Sequence, residues 1–265
     1  MTRSDTNRGR FYEVEGQQYP SVTTILSVIA KPALVNWAAK VEREMVSEVS
    51  ADLYQDAPEV KMSRNAWLTT LQARLGKQKA SQKELAKAAE IGTQVHALIE
   101  WTLKGELCQK FGPSPFISEK AQHAFASWTE WRRKVELKPL FVEQTIWSKS
   151  FGYAGTLDLL ADVEGKLTVL DWKTGKAIYP EAKLQNAAYR QALREMGHGE
   201  PRQGIILRLP KVETDPDFEA LTVTDDEQHL MVHFLSAMDL WKWQQKNDDA
   251  YWEKRNAETP QAVTP

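Results

Sequence analysis

The chain has 265 residues, with 34 lysines and arginines against 36 aspartates and glutamates, for a formal net charge of −2. Its hydrophobic fraction of 42% and charged fraction of 26% exclude a mainly disordered or collagen-like chain. No apolar run approaches the ~18 residues of a membrane span, and the N-terminus lacks a signal-peptide core, so we expect a cytoplasmic protein without a membrane partner. The single cysteine, Cys108, excludes an internal disulfide and any cluster held by several thiolates.

The first half of the chain is predicted to be mostly helical. Residues 1–10 are polar and are expected to form a flexible leader, and residues 11–20 predict a hairpin that turns near Gly16. Helical periodicity then runs from about residue 21 to residue 138. Its expected breaks coincide with proline or glycine, at Pro32, Pro58, Gly76 and Pro113.

Strand patterns begin after Pro139. They cover 141–147, 153–163, 166–172, 203–209 and 218–223, and the second and third are joined across Glu164–Gly165 as in a hairpin. Helices are predicted over 182–196 and from about 225 to 246, and a polar tail over 247–265. We therefore expect one α/β domain over 11–246, with a helical portion at about 21–138 and a sheet-forming core at about 139–246.

The strand that ends in Asp171-Trp172-Lys173 carries candidate chemistry. Side chains two residues apart on a strand share a face, so Asp171 and Lys173 point the same way and Trp172 points opposite. Asp158, on the partner strand, can approach Asp171. Two carboxylates beside an ammonium form a hard-oxygen site that suits Mg²⁺ and substrate phosphates. A solvated ion pair on a strand surface is the structural alternative for a lone Asp-x-Lys.

Four short motifs follow one another along the chain. They are Gly-Thr-x-x-His ending at His96, Gly-x-x-Asp ending at Asp158, Asp-x-Lys-Thr-Gly over 171–175, and Gln-x-x-x-Tyr over 185–189. This order resembles the PD-(D/E)XK nuclease superfamily, specifically its RecB-like exonuclease branch, over about residues 12–209. The resemblance implies a restriction-endonuclease-like core, a small mixed sheet flanked by helices, with the N-terminal helical region arching over the site.

The resemblance also implies a role for each motif residue. The metal ligands would be His96, Asp158, Asp171 and the backbone carbonyl of Trp172. Lys173 would be the catalytic lysine, and Glu143 would join the catalytic carboxylates beside the metal, through water or a second cation. Contacts with DNA, or bracing of the site, are expected from Tyr153, Thr156, Lys176, Gln185 and Tyr189. Leu157 stands where the superfamily name calls for proline, which RecB-like members commonly lack.

The sequence thus predicts an Mg²⁺-dependent deoxyribonuclease, with Mn²⁺ as a substitute and no iron–sulfur cluster. An exonuclease acting on DNA ends or single strands in recombination, replication or repair is the first interpretation. A structure-specific endonuclease and a non-catalytic DNA-binding recombination accessory remain alternatives. DNA is the expected partner, together with a recombination or replication protein, in the cytoplasm of a bacterial or phage-infected cell. The sequence does not predict the polarity of digestion or the oligomeric state.

Overall fold

The protein is described here by a computed structural model that covers residues 2–6, 8–56, 62–109 and 112–258, without the side chains of Asp56 and of 250–258. Contacts divide the chain into two compact units. The α/β unit comprises Met1–Ile29 and Gln94–Pro265, and the helical unit comprises Ala30–Thr93. The prediction of a single domain over 11–246 stays a prediction.

The N-terminus of the α/β unit forms a small antiparallel sheet in the order β1-β2-β3, with β1 at Thr2–Thr6, β2 at Gly9–Val14 and β3 at Gln17–Pro20. The hairpin near Gly16 is confirmed, and Gly16 adopts a φ of +79° that glycine tolerates at no steric cost. The expected leader differs, because Thr2–Thr6 pairs with β2. Its five residues are all exposed, so the sequence has no apolar alternation here from which the strand could be predicted.

A short helix follows the sheet, α1 at Val22–Ile25, extended by a 3₁₀ turn at Leu26–Val28. Ser21 is its N-cap, as its Oγ accepts a hydrogen bond from the Thr24 amide at 2.9 Å.

The helical unit contains α2 (Pro32–Asp56), α3 (Arg64–Leu75) and the first half of α4 (Ala80–Glu106). The Glu42 carboxylate accepts hydrogen bonds from the amides of Ala80 and Ser81, at 3.2 and 3.0 Å. These amides have no partner within their own helix, and a negative charge at a helix N-terminus also complements the helix dipole. Glu42 therefore stabilises the start of α4.

The remaining elements build the central layer of the α/β unit. They are α5 (Glu119–Arg133), β4 (Leu137–Ser148), β5 (Tyr153–Val163), β6 (Lys166–Lys173), α6 (Glu181–Glu195), β7 (Gln203–Arg208), β8 (Glu219–Thr222) and α7 (Glu227–Glu258). The strands form a five-stranded sheet in the order β4-β5-β6-β7-β8. β6 and β7 are parallel and joined by α6, whereas the other neighbours are antiparallel. The expected mixed sheet flanked by helices is confirmed.

Apolar side chains cover both faces of this sheet. On one face, Val169 and Leu160 pack with α1, α6 and α7 in a cluster that includes Leu193 and Phe234. On the other, Trp172 contacts the rings of Trp128 and Trp131 in edge-on geometry, with centroids 6.4 and 5.9 Å away. Because both faces are covered, polar groups of β5 and β6 are held in a rigid, largely dry surrounding.

The C-terminal helix is longer than predicted. α7 continues to Glu258, where the sequence predicts a polar tail from residue 247. Its last turns carry few apolar residues, so periodicity gives no signal there, although Ala, Glu and Lys favour helix. Residues 259–265 lie outside the described part of the chain.

Among the described residues, no single helix combines the length and apolar character needed to cross a membrane. One bent pair, Val22–Val28 with Pro32–Gln55, meets those two criteria jointly.

Candidate active site

The site is built where β5 and β6 part. Their ladder runs from Val163–Lys166 to Leu159–Leu170 and ends there, one residue before Asp158 and Asp171 would pair. The Asp158 carboxylate takes the place of the next ladder partner, because its Oδ2 accepts a hydrogen bond from the Trp172 amide at 2.7 Å. Asp158 is thereby fixed with its other oxygen, Oδ1, free to face His96.

Glu143 reaches the same point from β4. It lies opposite Asp158, between the pairs Val142–Leu159 and Gln144–Leu157, and its φ is +48°. A left-handed backbone costs a non-glycine residue about 1–2 kcal/mol, and such strain concentrates at functional sites. Here it occurs at the one residue of β4 whose carboxylate faces His96, with 3.7 Å between Glu143 Oε1 and His96 Nδ1.

His96 comes from α4 and connects the strands. Its Nδ1 lies 3.4 Å from Asp158 Oδ1, and its Nε2 lies 3.2 Å from the backbone oxygen of Trp172. In a neutral imidazole, an Nε2–H donating to that carbonyl leaves the Nδ1 lone pair facing the carboxylates, an orientation typical of metal-binding histidines. The Trp172 carbonyl, which is predicted to be a metal ligand, thus lies within hydrogen-bond distance of His96.

A second chain of contacts runs from Asp171 to α6. Asp171 is almost fully buried, and its Oδ2 forms an ion pair with Lys173 Nζ at 2.6 Å. Lys173 Nζ donates to Gln185 Oε1 at 3.0 Å, and Gln185 Nε2 donates to the Tyr189 hydroxyl at 3.1 Å. Gln185 and Tyr189 thus hold the lysine from behind, and both are buried.

Gly155 makes room for this chain of contacts. A Cβ at position 155 would lie 2.6 Å from Tyr189 Cε1 and 3.1 Å from its hydroxyl. Packing therefore explains why the Gly-x-x-Asp motif has a glycine at this position, since any side chain would displace Tyr189.

The site contains more acidic side chains than basic ones. Burial raises the pKa of Asp171 to about 6 against the opposing effect of Lys173, and burial with the nearby Asp158 raises the pKa of Glu143. Burial disfavours the charged form of His96, but Asp158 and Glu143 outweigh it and raise its pKa well above the usual value. The carboxylates therefore repel one another and attract cations.

The Asp158 carboxyl and the Lys173 ammonium both remain charged. Burial alone would raise the pKa of Asp158, but His96, Lys173 and the Trp172 amide lower it overall. Burial alone would lower the pKa of Lys173, but Asp171 and Asp158 raise it overall. Lys173 is thus a fixed positive charge and cannot serve as a proton acceptor near neutral pH.

The donor set fits a divalent metal ion. One ligand atom each from His96, Glu143 and Asp158 lies within 4.8 Å of the others. Neighbouring ligands of an octahedral ion at about 2.1 Å lie roughly 3 Å apart and opposite ones roughly 4 Å, so a small contraction would suffice. Asp171, predicted as a ligand, is outside this set and faces Lys173 instead, whereas Glu143, predicted beside the metal, is inside it.

Three residues predicted to contact DNA have different surroundings. Lys176 is exposed in the loop after β6. Thr156 is half-buried, and its Oγ1 lies 2.9 Å from the hydroxyl of Tyr12. Tyr153 has 0% exposure and donates its hydroxyl to the Ala188 carbonyl at 2.9 Å, so it packs in the core, and its contact with DNA stays a prediction.

The sequence interpretation missed Tyr12, which is nearly fully buried on β2 and reaches Thr156 on β5 from the small N-terminal sheet. Their positions differ by 144 in the chain, so local periodicity carries no signal of this contact.

Comparisons with known proteins give the family. Residues 63–259, well over half of the chain, match the family model of the PD-(D/E)XK nuclease superfamily. A crystal structure of a protein from Eubacterium rectale named "Putative exonuclease" is similar at 16% identity, with a TM-score of 0.42, and covers 66% of this chain and 71% of that one. No curated protein matches the sequence. With the family model matched across the segment that holds the acidic cluster, the ion pair and α6, this chain belongs to the PD-(D/E)XK nuclease superfamily.

Proposed function

We propose that this protein is an Mg²⁺-dependent deoxyribonuclease of the RecB-like branch that acts as an exonuclease on DNA ends or single strands. Membership of a nuclease superfamily supports hydrolysis of DNA. The order of the four motifs, from His96 to Tyr189, supports the branch and the exonuclease activity. A cytoplasmic location and a role in recombination, replication or repair belong to the same proposal.

The proposal depends on one observation, the convergence of three side chains from different elements. His96, Glu143 and Asp158 come from a helix and two strands, yet their ligand atoms gather within 4.8 Å, beside the Asp171–Lys173 ion pair. A merely structural ion pair on a strand does not account for a histidine and three acids, Asp171 among them, whose charges raise or lower the pKa values of their neighbours.

Each side chain has a distinct task in this proposal. His96, Glu143 and Asp158 would hold the cation, with Asp171 next to them, and a bound divalent cation would lower the pKa of a water molecule and neutralise charge on the phosphate. Lys173, charged and braced by Gln185, would donate a hydrogen bond to the attacking water or to a phosphate oxygen. The Trp172 amide would keep Asp158 oriented throughout.

The test is cleavage of end-labelled linear DNA in Mg²⁺ and in Mn²⁺. Lys173→Met and Asp171→Asn should each lower the rate by about 10²- to 10³-fold or more, because the first removes the ammonium that would stabilise charge on the reacting phosphate and the second removes the carboxylate that holds this ammonium. The matched control is Lys138→Met, an exposed lysine on β4, which should keep the wild-type rate. Equal rates in all four proteins would remove the proposal.

A second substrate distinguishes the alternatives that the sequence leaves open. Closed circular single-stranded DNA should stay intact with an exonuclease, and its cleavage would favour a structure-specific endonuclease. Tight DNA binding without turnover in any divalent metal would favour a non-catalytic accessory protein instead.

A further inference from the structure

The first half of β5 has no β6 strand beside it. The β5–β6 ladder ends before Asp158, so residues 153–157 pair with β4 alone among the strands of the central sheet. Ser21, which follows β3, forms a parallel bridge with Ala154. Its amide also donates to the Arg10 carbonyl of β2 at 2.8 Å, which extends the pairing of β2 with β3. Because β4 occupies one edge of β5, the small N-terminal sheet meets the other edge, the one that β6 has left.

Apolar contacts fasten this small sheet to β5. Three side chains of β2 and β3 are each at most 4% exposed and form one cluster with Ala154, namely Tyr12, Val14 and Tyr19. Tyr12 and Tyr19 lie opposite each other in the β2–β3 register, and the hydroxyl of a buried tyrosine usually has a hydrogen-bond partner. The Tyr19 hydroxyl donates to Gln17 Oε1 at 3.0 Å, within its own sheet. The Tyr12 hydroxyl instead reaches β5.

This hydrogen bond meets β5 two residues before Asp158. The Tyr12 hydroxyl and Thr156 Oγ1 are 2.9 Å apart. Side chains two residues apart on a strand share a face and lie about 7 Å apart along it, so the contact is on the Asp158 face of β5. The preceding residue, Gly155, faces the opposite way, where the Tyr189 ring of α6 lies against it. β5 is therefore held from both faces directly before the Asp158 carboxylate.

The position of β5 matters because Asp158 bridges the two parting strands. Its Oδ2 accepts a hydrogen bond from the Trp172 amide of β6 at 2.7 Å, and its Oδ1 lies 3.4 Å from His96 Nδ1. Within the described residues, no β5–β6 pair lies beyond Leu159–Leu170. The spacing of the two strands at Asp158 is therefore set by the other neighbours of β5, and Tyr12 is one of them.

We propose that Tyr12 is a positioning residue of the candidate active site. Its hydrogen bond to Thr156 holds β5 at the spacing from β6 that the Asp158 carboxylate needs for both of its contacts. Tyr12 acts through Thr156 and not on the reacting atoms. The family model is matched only from residue 63 onward, so the N-terminal sheet adds a part of the site that this match does not cover. This role deepens the proposed nuclease function, and only its activity readout rests on that function.

The test is hydrogen–deuterium exchange of the Trp172 amide, followed by NMR in EDTA, because this amide reports its bond to Asp158 without metal or catalysis. Tyr12→Phe removes only the hydroxyl and should lower the protection of this amide roughly two- to tenfold, the equivalent of one hydrogen bond. Thr156→Val should do the same, whereas Thr156→Ser keeps a hydroxyl and should keep the protection. The matched control is Tyr19→Phe, which removes the hydroxyl of a similarly buried tyrosine that bonds within its own sheet.

Three further readouts separate positioning from a general loss of stability. Amides within the β5–β6 ladder should lose less protection than Trp172 in Tyr12→Phe. Mn²⁺ binding in calorimetry should weaken by the same factor as the protection, and kcat on linear DNA should fall while KM stays constant, since Tyr12 positions a ligand and binds no DNA. The double variant Tyr12→Phe/Thr156→Val should be no worse than either single variant, because both changes remove the same hydrogen bond.

Trp172 protection that is the same in Tyr12→Phe as in the wild type, or that falls as far in Tyr19→Phe, would overturn the proposal. If that happens while the wild type cleaves DNA, the positioning role is wrong and the nuclease proposal stands. If protection falls as expected but the wild type cleaves no DNA with any divalent metal, Tyr12 still positions Asp158 and the nuclease proposal fails.

Discussion

The α/β unit and the helical unit use their apolar residues differently. In the α/β unit, side chains from two faces of one sheet are fully buried, among them Leu160, Leu170 and Trp172. In the described part of the helical unit, the buried apolar residues are Leu53, Leu71 and Ala80. Large apolar side chains that stay exposed there are Leu34, Val35, Val46, Tyr54, Met62, Leu68 and Leu85.

This difference explains where the candidate chemistry lies. A dense core holds Asp158 and Asp171 out of water and shifts the pKa of each by burial and by its neighbours. The described side chains of the helical unit are mostly exposed, and a carboxylate such as Glu42 is used to stabilise a helix end instead. In this chain, the carboxylates of the candidate site are therefore buried on the sheet, whereas a carboxylate with a structural task, such as Glu42, lies at a helix end.

The largest expected effect compares one leucine from each unit. Leu160→Ala, at 0% exposure, should lower the free energy of unfolding by about 2–5 kcal/mol, because it removes buried methyl groups and leaves a cavity. Leu68→Ala, at 38% exposure, should change it by less than about 1 kcal/mol. Urea denaturation followed by circular dichroism measures both, and equal losses would break the comparison.

The next largest expected effect comes from steric crowding at Gly155 in the α/β unit. Gly155→Ala places a Cβ 2.6 Å from Tyr189 Cε1, so we expect a loss of about 1–3 kcal/mol in unfolding free energy and a slower reaction, since Tyr189 braces Gln185 and Lys173. Gly112→Ala meets no atom within 4 Å and is the control. Unchanged stability and rate in Gly155→Ala would show that the contact is not close.

Backbone strain at Glu143 gives a smaller effect of opposite sign. Asparagine tolerates the left-handed backbone better than glutamate, so Glu143→Asn should raise the unfolding free energy by up to about 1 kcal/mol while it weakens Mn²⁺ binding in calorimetry. Glu164→Asn, at φ +51° in the β5–β6 turn, is the matched control and should stabilise without any effect on Mn²⁺. Unaltered Mn²⁺ affinity in Glu143→Asn would contradict its place among the ligands.

The smallest effect is the pH dependence of Glu195 at the end of α6. Partial burial raises its pKa, but hydrogen bonds from Gln191, Ser148 and the Ser150 amide lower it overall. A folded-state pKa below the unfolded value of about 4.3 gives stability that is present above that pH and is lost as pH falls through the folded value. The difference in unfolding free energy between wild type and Glu195→Gln should be a few tenths of a kcal/mol at pH 7.

A pH series of urea denaturation checks this difference, which should shrink below about pH 4. A difference that grows on acidification would reverse the assignment of the lowered pKa.

Much of the fold was open to prediction because its signals are local. The hairpin turns at Gly16 and Gly165, the cap at Ser21 and the strand alternation around Asp171 all depend on residues within a few positions of one another. The strand Thr2–Thr6 and the last turns of α7 could not be predicted, because exposed polar segments show no apolar period.

The sequence by itself determined which side chains are available and in what order, from His96 to Tyr189, because motif spacing and the period of helices and strands are properties of the chain. The tertiary structure alone decided that β5 and β6 part at Asp158, that Glu143 turns left-handed toward His96 and that Tyr153 is buried. It also decided that Lys173 faces Asp171 and Gln185 together. These outcomes depend on contacts between segments that are distant in the chain. Such contacts form only when the whole core packs, because the packed core leaves each side chain little other space.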